Sequence, residues 1–135
     1  MPYKQLTDGY HTFRIPATVV TKAGTVLAFA EGRRGSASDS GHIDLVLKRS
    51  SDGGQTWGAL QVVATEPRRG TAGNPAPVVL DDGRIVLVFV RQGRRRPRTR
   101  SGAARWRRPT GEGCSYRSVR TTGSPGRRLA RSPTA

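Results

Sequence analysis

The segment Ile15-Pro16-Ala17-Thr18-Val19-Val20-Thr21-Lys22-Ala23-Gly24-Thr25-Val26 is answered downstream by Asn74-Pro75-Ala76-Pro77-Val78-Val79-Leu80-Asp81-Asp82-Gly83-Arg84-Ile85. One constant offset superimposes Pro16 on Pro75, Ala17 on Ala76, Val19 and Val20 on Val78 and Val79, Gly24 on Gly83, and Val26 on Ile85. Self-similarity at a fixed spacing marks a repeat architecture. Each copy reads as two extended, β-branched runs around a glycine turn, so the unit reused is a β-hairpin.

Outward from the first copy, Ile15 to Thr21 is one strand, Lys22-Ala23-Gly24 the turn, and Thr25 to Ala30 the returning strand. A third run, Ile43 to Arg49, alternates Ile43, Leu45 and Leu47 on one face with Asp44, Val46 and Lys48 on the other. Ser51-Asp52-Gly53-Gly54 breaks it, and Trp57 to Ala64 supplies a fourth strand. No window holds an apolar stripe at helical spacing. The class is all-β, a four-stranded meander whose pattern then restarts. Such sheets repeated radially form a β-propeller, and this chain holds one blade and half of the next. A free-standing β-sandwich would not need the repeat and would need more apolar residues than remain.

Ser50-x-Asp52-x-Gly54-x-Thr56-Trp57 is the sharpest local pattern. In a tight hairpin Asp52 can accept backbone amides, Gly53 and Gly54 allow positive φ, and Trp57 can pack beneath the loop. These five positions, Ser50, Asp52, Gly54, Thr56 and Trp57, form a structural device and carry no chemistry of their own.

Composition divides the chain after Gly93. Residues 1–93 hold 11 Lys+Arg against 8 Asp+Glu, whereas residues 94–135 hold 13 Arg, no Lys and one acid, Glu112. The second part has only Trp106, Tyr116, Val119 and Leu129 as large apolar residues and cannot build a core, so the expectation is a disordered basic tail. Its abrupt Arg/Pro/Gly/Ser/Thr bias is what GC-rich DNA gives when read in a shifted frame. The competing reading is an arm that neutralises nucleic-acid phosphates without sequence specificity. No stretch approaches the run of apolar residues a spanning helix needs, and the start carries no secretory h-region. The expected location is cytoplasmic, or secreted if the true start lies upstream. One cysteine, Cys114, cannot pair internally, two histidines make no metal cluster, and no cofactor is implied.

Three groups could carry chemistry. Arg14, between Phe13 and Ile15, is costly unless its guanidinium meets an anion. Arg33-Arg34 ends the second strand beside the start of the first, so these arginines could converge on one carboxylate. Between the second and third strands a polar loop, 35–42, leaves from the same end, and its one acid, Asp39, is placed as a general acid above such a pocket. Asp39 could equally be an ordinary turn aspartate, and His42 has no visible partner.

Taken in order and spacing, Phe13-Arg14-Ile15-Pro16, Ala28-Phe29-Ala30-Glu31-Gly32-Arg33, the Asp39 loop, Ile43 to Arg49, the Asp box Ser50 to Trp57, and Gly73-Asn74-Pro75-Ala76-Pro77 resemble the exo-α-sialidases (neuraminidases) of the bacterial and animal type. The resemblance runs from about Tyr10 to Gly93. It implies a six-bladed propeller that removes terminal sialic acids from glycoproteins, gangliosides and oligosaccharides with retention. It also implies three arginines clamping the sugar carboxylate, a tyrosine–glutamate nucleophile and a loop aspartate as acid/base. Arg14 matches the first clamp arginine, Arg33 the arginine ending the second strand, and Asp39 the acid/base, while Asn74 falls in the pocket wall. A neutral tyrosine suits this chemistry, because a carboxylate nucleophile would be repelled by a substrate that is itself an anion at the anomeric carbon.

Nothing after Gly93 matches the family's nucleophile or its remaining clamp arginines. Tyr116 and Glu112 sit in the Arg-rich part and receive no role. The expectation is a sialidase by ancestry that is inactive as this chain. The alternatives are a basic nucleic-acid-binding protein and a non-catalytic sialoglycan-binding fragment.

Overall fold

The computed structural model describes residues 1–93 and the backbone of one further strand. The strands are β1 (Thr12–Val20), β2 (Val26–Arg33), β3 (Ile43–Ser50), β4 (Gln61–Ala64), β5 (Thr71–Val79), β6 (Ile85–Gln92) and β7 (Glu112–Val119). They form two antiparallel meanders, β1-β2-β3-β4 and β5-β6-β7, bridged by one parallel pair, Ile43 with Thr71. The all-β expectation holds, and the second meander has one strand more than half a blade.

The repeat is visible in the backbone. Both hairpins turn on a glycine of positive φ, Gly24 at 81° and Gly83 at 80°. In each turn one amide–carbonyl pair closes the loop, Thr21 N to Thr25 O at 2.9 Å and Leu80 N to Arg84 O at 2.8 Å. The two turns also meet, because the Lys22 ammonium donates to the carbonyl of Asp81, its counterpart 59 residues on. Both hairpins carry a bulge at the same place, between Arg14 and Ala17 and between Gly73 and Ala76. Pro16 and Pro75 explain it: each lacks the N–H a regular ladder needs, so pairing is interrupted there. The residue before each proline is left-handed, Ile15 and Asn74 both at φ 52°.

Strand limits differ from the sequence reading most at three ends. β1 starts at Thr12 and β2 runs to Arg33, so Arg14 and Arg33 both lie inside the ladder. β4 starts only at Gln61, because Trp57 and Gly58 are held back toward the preceding turn: Trp57 Nε1 donates to Gly54 O at 3.0 Å and Gly58 N to Arg49 O at 2.8 Å.

The alternation assigned to β3 is the one observed. Leu45 and Leu47 join Leu27, Phe29, Val63 and Ala64 in a core closed by Ala72, Ile85, Leu87 and Phe89 of the second meander. On the opposite face Val46 and Ala30 pack with Tyr10, lined by Tyr3, Phe13 and Leu60. The first residues of the chain therefore cover what would be the solvent side of β2 and β3. Tyr3 fixes that cover by stacking on Phe13 at 4.8 Å and donating to Ala28 O at 2.6 Å.

β7 falls inside the segment expected to be a disordered tail. It continues the sheet by antiparallel pairing with β6, from Gln92 opposite Glu112 to Ile85 opposite Val119. β6 is paired with β5 on one side only, and its other edge offers backbone donors and acceptors that an extended segment satisfies. Glu112 and Tyr116 thus have strand context after all, opposite Gln92 and Val88. The rest of residues 94–135 lies outside the described residues.

Candidate functional site

The end of the first meander that carries Arg33 gathers the candidate groups. Thr12 pairs with Arg33 and Arg14 with Glu31, while Arg33 also pairs with Ile43, so the loop 34–42 leaves and returns at this rim. The Arg14–Ala17 bulge sits at the same end; bulges re-aim side chains and recur beside functional sites.

Asp39 is the meeting point. Its Oδ1 lies 2.7 Å from Arg33 Nη2 and 3.5 Å from Arg14 Nη1, so two guanidiniums converge on one carboxylate oxygen. Arg33 Nη1 also donates to Ala37 O, which fixes the rising limb of the loop. Asp39 is 82% exposed and Arg14 half exposed, so this part of the rim is open to solvent. The structure therefore brings Arg14, Arg33 and Asp39 together, as the sequence suggested.

Which arginine needs the anion is different. Arg14 reaches water, whereas the Arg33 side chain is 2% exposed and depends on buried charge. That charge is Glu31, two residues back on the same face of β2. One oxygen, Oε2, accepts from Arg33 Nη2 at 2.7 Å and from Nε at 3.1 Å. Burial alone would lower the Arg33 pKa, but the hydrogen bonds with Glu31 and then Asp39 outweigh it and hold the guanidinium above its ordinary value. Sequence reasoning gave Glu31 no role, although the i, i+2 spacing on a strand was a usable signal. Asn74 enters through its backbone: its N–H donates to Glu31 Oε1 at 3.0 Å, and its side chain is exposed at the rim.

Arg34 does not join this group. As the next residue it points to the other face, where Asp44, 1% exposed, holds a second cluster. Asp44 Oδ2 accepts from Tyr10 Oη at 2.8 Å and from Arg34 Nε at 2.9 Å. Arg34 also lies over the Tyr10 ring, 4.8 Å from its centre. His42 does have a neighbour, Asp44 Oδ1, 3.5 Å from its Nε2. Burial first, and then the carboxylate at its hydroxyl, push the Tyr10 phenol up to about 12. This cluster ties both ends of the 34–42 loop to β3.

The Asp box lies at the opposite end of β3, since Ser50 pairs with Val26 rather than with the Arg33 end. Ser50 Oγ accepts from Gly54 N at 2.8 Å and donates to Asp52 Oδ1 at 2.6 Å. Asp52 accepts from Thr56 N at 2.9 Å and from the Thr56 hydroxyl. Hydrogen bonds from Ser50 and Thr56 hold the Asp52 carboxyl well below its usual range. The Ser50, Asp52, Thr56 and Trp57 side chains all hydrogen-bond within the loop, which fits the structural role expected of it.

No family model matches the chain. Individual proteins do match. An exo-alpha-sialidase of Arthroderma benhamiae is 47% identical over 89 residues, covering 61% of this chain and 21% of that protein. A second, from Aspergillus fumigatus, is 48% identical over 87 residues, covering 60% of this chain and 21% of its own length. By sequence, this chain is similar to sialidases over about 60% of its length. The sialidase likeness extends to solved structures: a Hadza microbial sialidase superimposes with a TM-score of 0.61 at 26% identity, over 64% of this chain and 19% of that one. The sheet described above is accordingly a partial, unclosed β-propeller of sialidase type. The chain spans 21% of the length of the two fungal sialidases it matches.

Proposed function

We propose that the rim is the carboxylate-binding corner of an exo-α-sialidase site, part of a retaining glycosidase that removes terminal sialic acid from glycoproteins, gangliosides and oligosaccharides. The observation that carries this reading is the convergence of Arg14 and Arg33 on a single carboxylate oxygen. That carboxylate belongs to Asp39, so the rim already holds the chemical group the ligand would bring.

Arg14, half exposed, would take the substrate carboxylate directly through a charge-assisted fork. Arg33, buried and fixed by Glu31, would supply stationary positive charge behind it. A substrate carboxylate competes with Asp39 for both cations, and its arrival would free Asp39 to turn toward the glycosidic oxygen. Released from both cations, Asp39 would take up a proton from solvent, give it to the leaving oxygen and later take one from the attacking water, in the acid/base role of this reaction type. Asn74 would line the wall contributed by the second hairpin. The nucleophile that retention demands is not provided by these groups.

Two measurements test the reading on the 135-residue chain. Adding N-acetylneuraminate should shift the NMR signals of the Arg14 and Arg33 Nε–H groups; if neither moves, the carboxylate assignment fails. A fluorogenic sialoside should not be turned over, and release of the fluorophore would contradict the expectation that this chain is inactive.

A further inference from the structure

The bulges of the two hairpins are equivalent in backbone and opposite in content. Where the first carries Arg14, the second carries Gly73, and the space left by the missing side chain is filled from the other hairpin. A Cβ placed on Gly73 would sit 2.2 Å from Glu31 Oε1 and 2.8 Å from Glu31 Cδ. The next residue, Asn74, turns its amide onto that same oxygen from a left-handed conformation. Glu31 is 3% exposed, and its two oxygens are divided between two tasks: Oε1 receives β5, and Oε2 receives Arg33.

We propose that Glu31 is a positioning residue that makes the orientation of Arg33, and hence the anion affinity of the rim, depend on the seating of β5. The inference deepens the carboxylate reading and rests on it for the nature of the ligand. Both oxygens belong to one planar carboxylate, so a shift of β5 that turns Oε1 to keep or lose the Asn74 amide also turns Oε2 relative to Arg33. The buried guanidinium then loses its fixed partner and turns toward the remaining anion, Asp39. The site is therefore coupled to the contact between hairpins, and Gly73 is required there for space: its φ is not left-handed, so alanine fits its backbone but not its surroundings.

The test uses the full chain and two variants. Gly73→Ala keeps every charge and displaces only the end of a flexible side chain. Glu31→Gln leaves the β5 backbone untouched. In both, the Arg33 Nε–H signal and the Asn74 amide signal are expected to shift together, while the signals of the Gly24 turn stay in place and report an intact hairpin. Binding of N-acetylneuraminate should weaken about tenfold or more in each, as expected when a charge-assisted hydrogen bond is lost. If Gly73→Ala moves the Asn74 amide and leaves the Arg33 signal unchanged, the coupling does not exist. If wild-type protein shows no response to N-acetylneuraminate while the two signals still move together in the variants, the coupling stands and the carboxylate reading is the part that fails.

Discussion

The hairpins β1–β2 and β5–β6 share turn, bulge and register, yet only the first places charged side chains at the three matched positions that build its rim, the charge of the second, Arg91, pairing instead with Glu66 at 3.1 Å. At equivalent places the first has Arg14, Glu31 and Arg33, and the second has Gly73, Val90 and Gln92. The shared backbone is thus a scaffold set by Pro16 and Pro75 at the bulges and Gly24 and Gly83 at the turns. Chemistry enters through three substitutions on that scaffold. Even the absence of a side chain contributes, since Gly73 leaves room for the carboxylate that holds Arg33.

The largest effect is expected where that carboxylate is removed. Glu31→Ala leaves the buried Arg33 guanidinium without its main partner and should destabilise the protein by about 3–5 kcal/mol in urea unfolding. Its counterpart Val90→Ala, on an exposed position, should cost under about 1 kcal/mol. Equal costs would mean that the two hairpins are not distinguished by buried charge.

Tyr10 gives the first meander a second distinction, because its phenol donates to a buried carboxylate. Tyr10→Phe should lose about 1–3 kcal/mol at neutral pH. Its folded pKa is raised from 10.0 to about 12, so its contribution is complete below pH 10 and is lost as pH rises toward 12. Wild-type stability should therefore fall through that window, and Tyr10→Phe should fall less steeply, as followed by circular dichroism at fixed urea. Parallel curves would remove the buried phenol from the account.

Arg14 separates binding from stability. Its ion pair with Asp39 is exposed, so Arg14→Ala should change stability by less than about 1 kcal/mol, while N-acetylneuraminate binding falls about tenfold or more. A variant that binds as well as wild type would place the ligand elsewhere.

The smallest effect sharpens the comparison at the bulge. The second hairpin uses asparagine in the left-handed position and the first uses isoleucine, a β-branched residue for which that conformation costs about 1–2 kcal/mol. Ile15→Asn should accordingly raise stability by about 1 kcal/mol. A loss would show that the Ile15 side chain packs better than its exposure suggests.

Much of this was legible before the structure. The repeat, the glycine turns and the alternation of Ile43, Leu45 and Leu47 follow from period-two patterning, which reads directly from residue order. The gathering of Arg14, Arg33 and Asp39 followed from hairpin geometry, because a strand's end returns beside its partner's beginning. What was not legible depends on contacts between units. Glu31 against Gly73 joins two hairpins, and Asp44 with Tyr10 joins β3 to the first residues of the chain. β7 lies in a segment whose composition argued against any packed structure; its pairing needs only backbone groups, which composition does not record. The separation of Arg33 from Arg34 was available from strand alternation alone.

The central claim is that two arginines on one hairpin rim recognise a carboxylate. Calorimetric titration of the full chain with N-acetylneuraminate and, separately, with its methyl ester tests this directly, since the ester keeps the sugar and removes the charge. Binding of the acid with loss of binding to the ester is the expected result. Equal binding of both, or binding of neither, would contradict it.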